Sequence, residues 1–199
     1  EQSMSTRQTG LRKQFGFECA CVLCSSEPPA SNATLLWETK VAEAEGQVAA
    51  GENPDEILPL LLAAITGLET EDRGKRMVLA RAHRLVTECA EHLLNATGEE
   101  EFAVRFLRSS IALLDLQRWM LWPEHADLAR SLLDVSEGVR TLLGIRNGRL
   151  LLHEFAQFSD LTDAREFMAA CRKEHLKIKR CYDQGIARYW RHRKSLQST

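Results

Sequence analysis

The stretch NPDEILPLLLAAITGL, residues 53–68, indicates the fold class most clearly. Asn53 is a residue type that caps helix starts, Pro54 suits the first helical position, and acidic residues follow where the helix dipole favours them. The apolar residues after this start recur three or four positions apart, on one helix face: Ile57, Leu61, Ile65 and Leu68. The stretch therefore predicts an amphipathic helix that buries one face.

Similar patterns extend outward from this stretch. Before it, Trp37 and Val48 belong to a predicted helix that stops at Gly51. After it we expect helices over about 75–96, 99–121, 123–144 and 150–158, one that starts at 160–162, and a last basic helix after Gly185. No alternating run of β-branched residues follows residue 30. Helices of similar length with short connections predict a mainly α fold of antiparallel hairpins, which can stack as tetratricopeptide-like repeats.

Composition limits the class of protein. The chain has 199 residues, 44% hydrophobic residues and a net charge of −2, a balance that argues against nucleic-acid binding and indicates no membrane surface. No apolar run reaches the roughly 18 residues that a membrane span needs. The start, residues 1–4, lacks the apolar segment of a signal peptide, and we expect the chain to be part of a longer protein. The spacing of the six cysteines does not suit a disulfide scaffold, so we expect an intracellular protein, cytoplasmic or nuclear.

Three cysteines cluster near the start of the chain, in FGFECACVLC, residues 15–24. Thiolates this close suit one tetrahedral metal ion, and the residue types favour zinc held by Cys19, Cys21 and Cys24. A structural zinc site takes four ligands, so the fourth comes from far along the chain or from outside it. A redox pair and unliganded thiols are the alternatives. The remaining cysteines, which we expect to be small buried apolar residues, are Cys89, Cys171 and Cys181.

The wider stretch RQTGLRKQFGFECACVLC, residues 7–24, resembles the post-SET segment of the SET-and-MYND family of protein-lysine methyltransferases. The shared pattern is a basic turn, a leucine, an aromatic, one residue, a phenylalanine, one residue and Cys-x-Cys-x-x-Cys. This family takes the fourth zinc ligand from its preceding SET domain. The resemblance therefore implies a post-SET zinc-binding segment over 1–27 and a tetratricopeptide-like helical domain over 34–199, joined by the turn-rich connector 25–32.

The resemblance also implies roles for two aromatic residues. Phe17 matches the residue that packs on the adenine of S-adenosylmethionine, and Phe15 matches one that walls the lysine channel. The family often has tyrosine at the position that Phe15 matches. Phenylalanine lacks the hydroxyl group, so a hydrogen bond from a phenol is absent here. Packing of both rings on a small metal site, without a cofactor, is the alternative interpretation.

The implied activity is methyl transfer from S-adenosylmethionine to a lysine side chain of a protein substrate, with the catalytic residues in the SET domain and none in this chain. The competing hypothesis is a non-enzymatic module in which a zinc site caps a helical repeat that binds other proteins. An Asn-His-x-Cys run and a catalytic tyrosine upstream of Glu1 would distinguish the two hypotheses. The basic cluster Arg7, Arg12 and Lys13 is predicted to be solvated, and attraction to acidic segments of a substrate or partner is the alternative. The basic cluster at 188–194 is predicted to be a solvated helix end, which suits the helix dipole.

Overall fold

The computed structural model describes residues 4–20, 31–71, 75–121, 123, 125–158 and 160–197, and for 4–7 and 184–197 it describes the backbone alone. All regular secondary structure in these ranges is helical, which confirms the predicted mainly α class. The helices in chain order are α1 Met4–Phe15, α2 Asn32–Ala49, α3 Pro54–Glu69, α4 Arg76–Thr97, α5 Glu100–Met120, α6 Ala126–Gly144, α7 Gly148–Leu152 and α8 Leu161–Gln197. None of them combines the length and the apolar content that crossing a bilayer requires.

The helix ends follow the local sequence. Asn53 caps α3 by accepting a hydrogen bond from the backbone N–H of Asp55 at 3.2 Å, as its residue type predicts. The side chain of Ser31 accepts from the N–H of Thr34 at 3.0 Å and caps α2. Gly98 ends α4 in the left-handed conformation with φ of 71°, which costs glycine little.

The chain forms two compact units, Glu1–Leu116 and Gln117–Thr199. In the first unit, α2, α3 and α4 pack on one another around a shared apolar core. Ser31, before α2, donates to Glu71, after α3, at 2.6 Å, so the two helices run antiparallel. The largest fully buried side chains of this core include Leu61, Leu68 and Leu85. The predicted stripe of 53–68 is therefore the buried face of α3.

In the second unit, α6 packs antiparallel on α8. The backbone N–H of Ala126 donates to the hydroxyl of Tyr182 at 3.1 Å, whereas Ser136, ten residues further along α6, accepts from Nε of Arg172 at 2.7 Å. The short helix α7 contacts both α6 and α8. Antiparallel packing thus occurs within each unit, as the hairpin prediction requires.

Four local predictions differ from the structure. The basic stretch that contains Arg12, expected as a turn in the metal-binding segment, belongs to helix α1, Met4–Phe15. Helix α6 starts at Ala126 instead of Pro123, with His125 as its cap. The helix expected over 150–158 is α7, which ends at Leu152. Gly185 does not separate two helices, because α8 continues through it to Gln197; one glycine costs a helix only about 1 kcal/mol.

Candidate functional site: the turn after helix α1

The candidate site is the turn that follows α1, residues 15–20. Phe15 is the last residue of the helix, and Gly16 turns the chain with φ of 72°. The N–H of Gly16 donates to the carbonyl of Arg12 at 3.0 Å, which completes a glycine-ended helix terminus. The sequence signal for this ending was a glycine directly after a turn that contains Arg12 and Lys13.

Gln8 connects helix α1 to the backbone of Cys19. Its side-chain nitrogen donates to the Cys19 carbonyl at 2.6 Å, and its side-chain oxygen accepts from the Cys19 N–H at 2.8 Å. The backbone N–H and carbonyl of Cys19 are therefore both hydrogen-bonded by the side chain of Gln8. Sequence analysis missed Gln8, because no local pattern marks a hydrogen bond to a residue eleven positions away.

Phe15 and Phe17 lie on the two sides of Gly16. Their ring centroids are 6.4 Å apart and the ring planes are tilted by 42°. The two residues are 67% and 50% exposed, respectively. Because large apolar side chains are normally buried, two exposed rings on one turn form a surface that suits an apolar or aromatic ligand.

Arg12 and Glu18 form an ion pair across the same turn. Both side chains are largely exposed, so the pair contributes little to stability. The turn is thus held mainly by Gly16 and by the hydrogen bonds of Gln8.

The predicted metal ligands are only partly described. Cys19 is a free, half-buried thiol, whereas Cys21 and Cys24 lie outside the described residues. In the ranges that the structure covers, no group of three His, Cys, Asp or Glu side chains is placed to hold a metal ion. The donor set that remains for zinc is the thiol of Cys19 with those of Cys21 and Cys24, a chemistry that fits this metal.

The other cysteines differ among themselves. Cys89 and Cys171 are buried, and burial raises the pKa of each thiol to about 11. They stay protonated at neutral pH and behave as small apolar residues, as predicted. Cys181 is exposed, so its predicted burial is wrong. It lies near the end of the contact between α8 and α6, where the helix presents it to solvent.

Two polar clusters of the first unit were not predicted from the sequence. Glu45 on α2 receives hydrogen bonds from Arg81 and Arg84 on α4. Burial would raise the pKa of Glu45, but the two guanidinium groups together lower it. His83 is buried with Nδ1 3.4 Å from the hydroxyl of Ser109, and burial lowers the pKa of His83 to about 4. Arg81, His83 and Ser109 are buried, whereas Glu45 and Arg84 are partly exposed, and we assign all five to the structure of the unit.

Comparison with models of protein families finds no match to this chain, and neither does comparison with curated proteins.

Proposed function

We propose that this chain is the C-terminal part of a SET-and-MYND-type protein-lysine methyltransferase, with a post-SET zinc-binding segment and a tetratricopeptide-like helical domain. The observation that carries the proposal is the pair of exposed rings, Phe15 and Phe17, on a turn that leads into Cys19. The register of these aromatics with the cysteines is the pattern of that family. The mainly helical fold of 32–197 is compatible with the family's C-terminal domain.

In this proposal the metal fixes the turn that carries the rings. Cys19, Cys21 and Cys24 supply three thiolates, and the SET domain supplies the fourth ligand. Thiols close in sequence lose little chain entropy when they meet around one ion. Phe17 lies two residues before Cys19, so fixing the cysteine also restricts the position of the ring.

S-adenosylmethionine would supply the methyl group, which passes from its sulfonium sulfur to the lysine nitrogen. Phe17 would stack on the adenine and hold the cofactor in place. Phe15 forms an apolar wall of the lysine channel, where exclusion of water favours the neutral, nucleophilic amine. Its ring also attracts a methylated ammonium by a cation–π interaction. Alignment of the reacting groups in such a channel provides most of the catalysis.

The helical domain has a proposed role beside the channel. It forms one side of the cleft that receives the protein substrate, and the preceding SET domain forms the other. An intracellular location, cytoplasmic or nuclear, belongs to the same proposal, because free thiols and a thiolate zinc site suit a reducing compartment.

The test uses the natural chain upstream of Glu1. An Asn-His-x-Cys run, which the 199 residues do not contain, should occur there together with a catalytic tyrosine. The full-length protein should contain one zinc ion and transfer labelled methyl groups from S-adenosylmethionine to a lysine-containing substrate, whereas the 199-residue chain should transfer none. A full-length protein with zinc but without cofactor binding would favour the non-enzymatic interaction module. Full-length protein without zinc would contradict both.

A further inference from the structure

We propose that Gln8 is a positioning residue that holds the backbone of Cys19 in a fixed conformation before any metal binds, an inference whose metal-binding consequence rests on the proposed zinc site. The two hydrogen bonds are short, at 2.6 and 2.8 Å, and they use both functional groups of the carboxamide. They form the same donor and acceptor pair that one β-strand residue would offer to another.

The geometry selects glutamine at this position. A carboxylate can accept from the Cys19 N–H but cannot donate to its carbonyl, and an asparagine is one methylene shorter. The Gln8 side chain is anchored in α1, and the hydrogen bonds that it makes are partly buried. Gln14 on the same helix is exposed and provides a matched control.

The hydrogen bonds of Gln8 restrain the backbone of Cys19, the first of the three proposed thiolate ligands along the chain. Cys19 follows the left-handed Gly16 by three residues and precedes Cys21 by two. Fixing the backbone of one residue costs about 1–2 kcal/mol of conformational entropy, so a residue that is already fixed makes metal binding more favourable by a similar amount. Gln8 therefore lowers the ordering cost of the first thiolate ligand.

The first experiment measures amide hydrogen exchange of Cys19 by NMR in the metal-free 199-residue chain. The wild-type amide should be protected, and Gln8→Ala should remove the protection, whereas Gln14→Ala should not. Gln8→Glu keeps the acceptor, so its Cys19 amide should exchange more slowly than in Gln8→Ala. Protection of the α3 and α4 amides shows in each variant that the fold is intact. Equal exchange of Cys19 in wild type and Gln8→Ala would overturn the proposal.

The second experiment titrates the metal-free full-length wild type and the same variants with Co²⁺ as a probe of the complete thiolate site, which includes the ligand from the SET domain. Gln8→Ala should bind Co²⁺ about 5- to 30-fold more weakly with an unchanged thiolate-to-cobalt absorption spectrum, because the ligands are the same and only their ordering cost differs. Unchanged affinity in Gln8→Ala would overturn the positioning role. A wild-type chain that binds no Co²⁺ would overturn the zinc site and the metal-binding role of Gln8, while the exchange result would still decide whether Gln8 holds Cys19.

Discussion

Phe17 is restrained on both sides, by the left-handed Gly16 before it and by the hydrogen-bonded Cys19 two residues after it. We expect Phe17→Ala in the full-length protein to weaken S-adenosylmethionine binding about 5- to 150-fold, because a base–aromatic stack is worth about 1–3 kcal/mol. Zinc should remain bound, since the ring is not a ligand. Calorimetric titration of the cofactor and elemental analysis of the same sample measure both quantities.

Phe15→Ala is the matched control for this prediction. It removes the other ring of the turn and should raise KM for the lysine substrate while cofactor affinity stays within a few-fold of wild type. Normal zinc content with unchanged cofactor affinity in Phe17→Ala would contradict the role of Phe17. Loss of zinc in that variant would instead support the interpretation that the rings only pack on the metal site.

His83 makes stability depend on pH. Burial lowers its folded-state pKa from 6.5 to about 4, so the unfolded chain takes up the proton first as pH falls. The free energy of unfolding should therefore decrease between pH 6.5 and pH 4, by at most about 3 kcal/mol, and this contribution is complete below the folded-state pKa. Urea unfolding at several pH values should show the decrease in wild type and a smaller one in His83→Gln.

The control for His83 is His92→Gln, because His92 is exposed on the same helix. This variant should follow the pH dependence of wild type. A His83→Gln protein that loses as much stability between pH 6.5 and pH 4 as wild type would show that other groups cause the decrease.

The contact between helices α2 and α3 depends on a glycine. A Cβ added at Gly67 would lie 2.5 Å from ring atoms of Trp37, too close for any side chain without movement of the ring. Gly67→Ala should therefore lower the free energy of unfolding by about 1–3 kcal/mol, although alanine is the better helix former. Urea denaturation of the variant measures this loss.

Two further variants test the cause. Gly46 lies in α2 with open space where a Cβ would be, so Gly46→Ala should stabilise by up to about 1 kcal/mol. In a Trp37→Leu background the ring is absent, and Gly67→Ala should then be neutral or stabilising. A Gly67→Ala substitution that destabilises equally with and without Trp37 would show that the ring is not the cause.

Each of the two units is held by apolar packing of its own. The described core of the first unit includes Leu61, Val78 and Leu85, and that of the second includes Leu132 and Ile178. Small zinc domains unfold when the metal is removed, because binding supplies their folding energy. Here we expect chelation to leave far-UV circular dichroism nearly unchanged, since the described cores of both units consist of buried apolar side chains.

The local consequence of chelation should be confined to the cysteine segment. Amides around Cys19 should exchange faster after metal removal, while those of α3, α4 and α6 keep their protection. Loss of half of the helical signal on chelation would show that the metal supports the helical units as well.

Much of the helical architecture followed from local sequence. The start of α3 at Asn53 and Pro54 and the end of α4 near residue 96 were predicted because each depends on a cap or a φ angle that a few adjacent residues determine. The buried stripe of α3 was predicted because residues three to four positions apart share a helix face. The helix boundary predicted at Gly185 is wrong, because a single glycine has only a small effect within a long helix.

In the candidate site, too, some features follow from the sequence and others only from tertiary packing. The spacing of Cys19, Cys21 and Cys24 and the positions of Phe15 and Phe17 are properties of the sequence, and so is the zinc chemistry that they predict. The hydrogen bonds from Gln8 to Cys19, from Arg81 to Glu45 and between His83 and Ser109 join residues 11, 36 and 26 positions apart. Such pairs form only when helices or turns pack, because neither partner has a local preference for the other. Local patterns therefore predict where helices and ligand residues occur, and packing determines which polar side chains hold them in place.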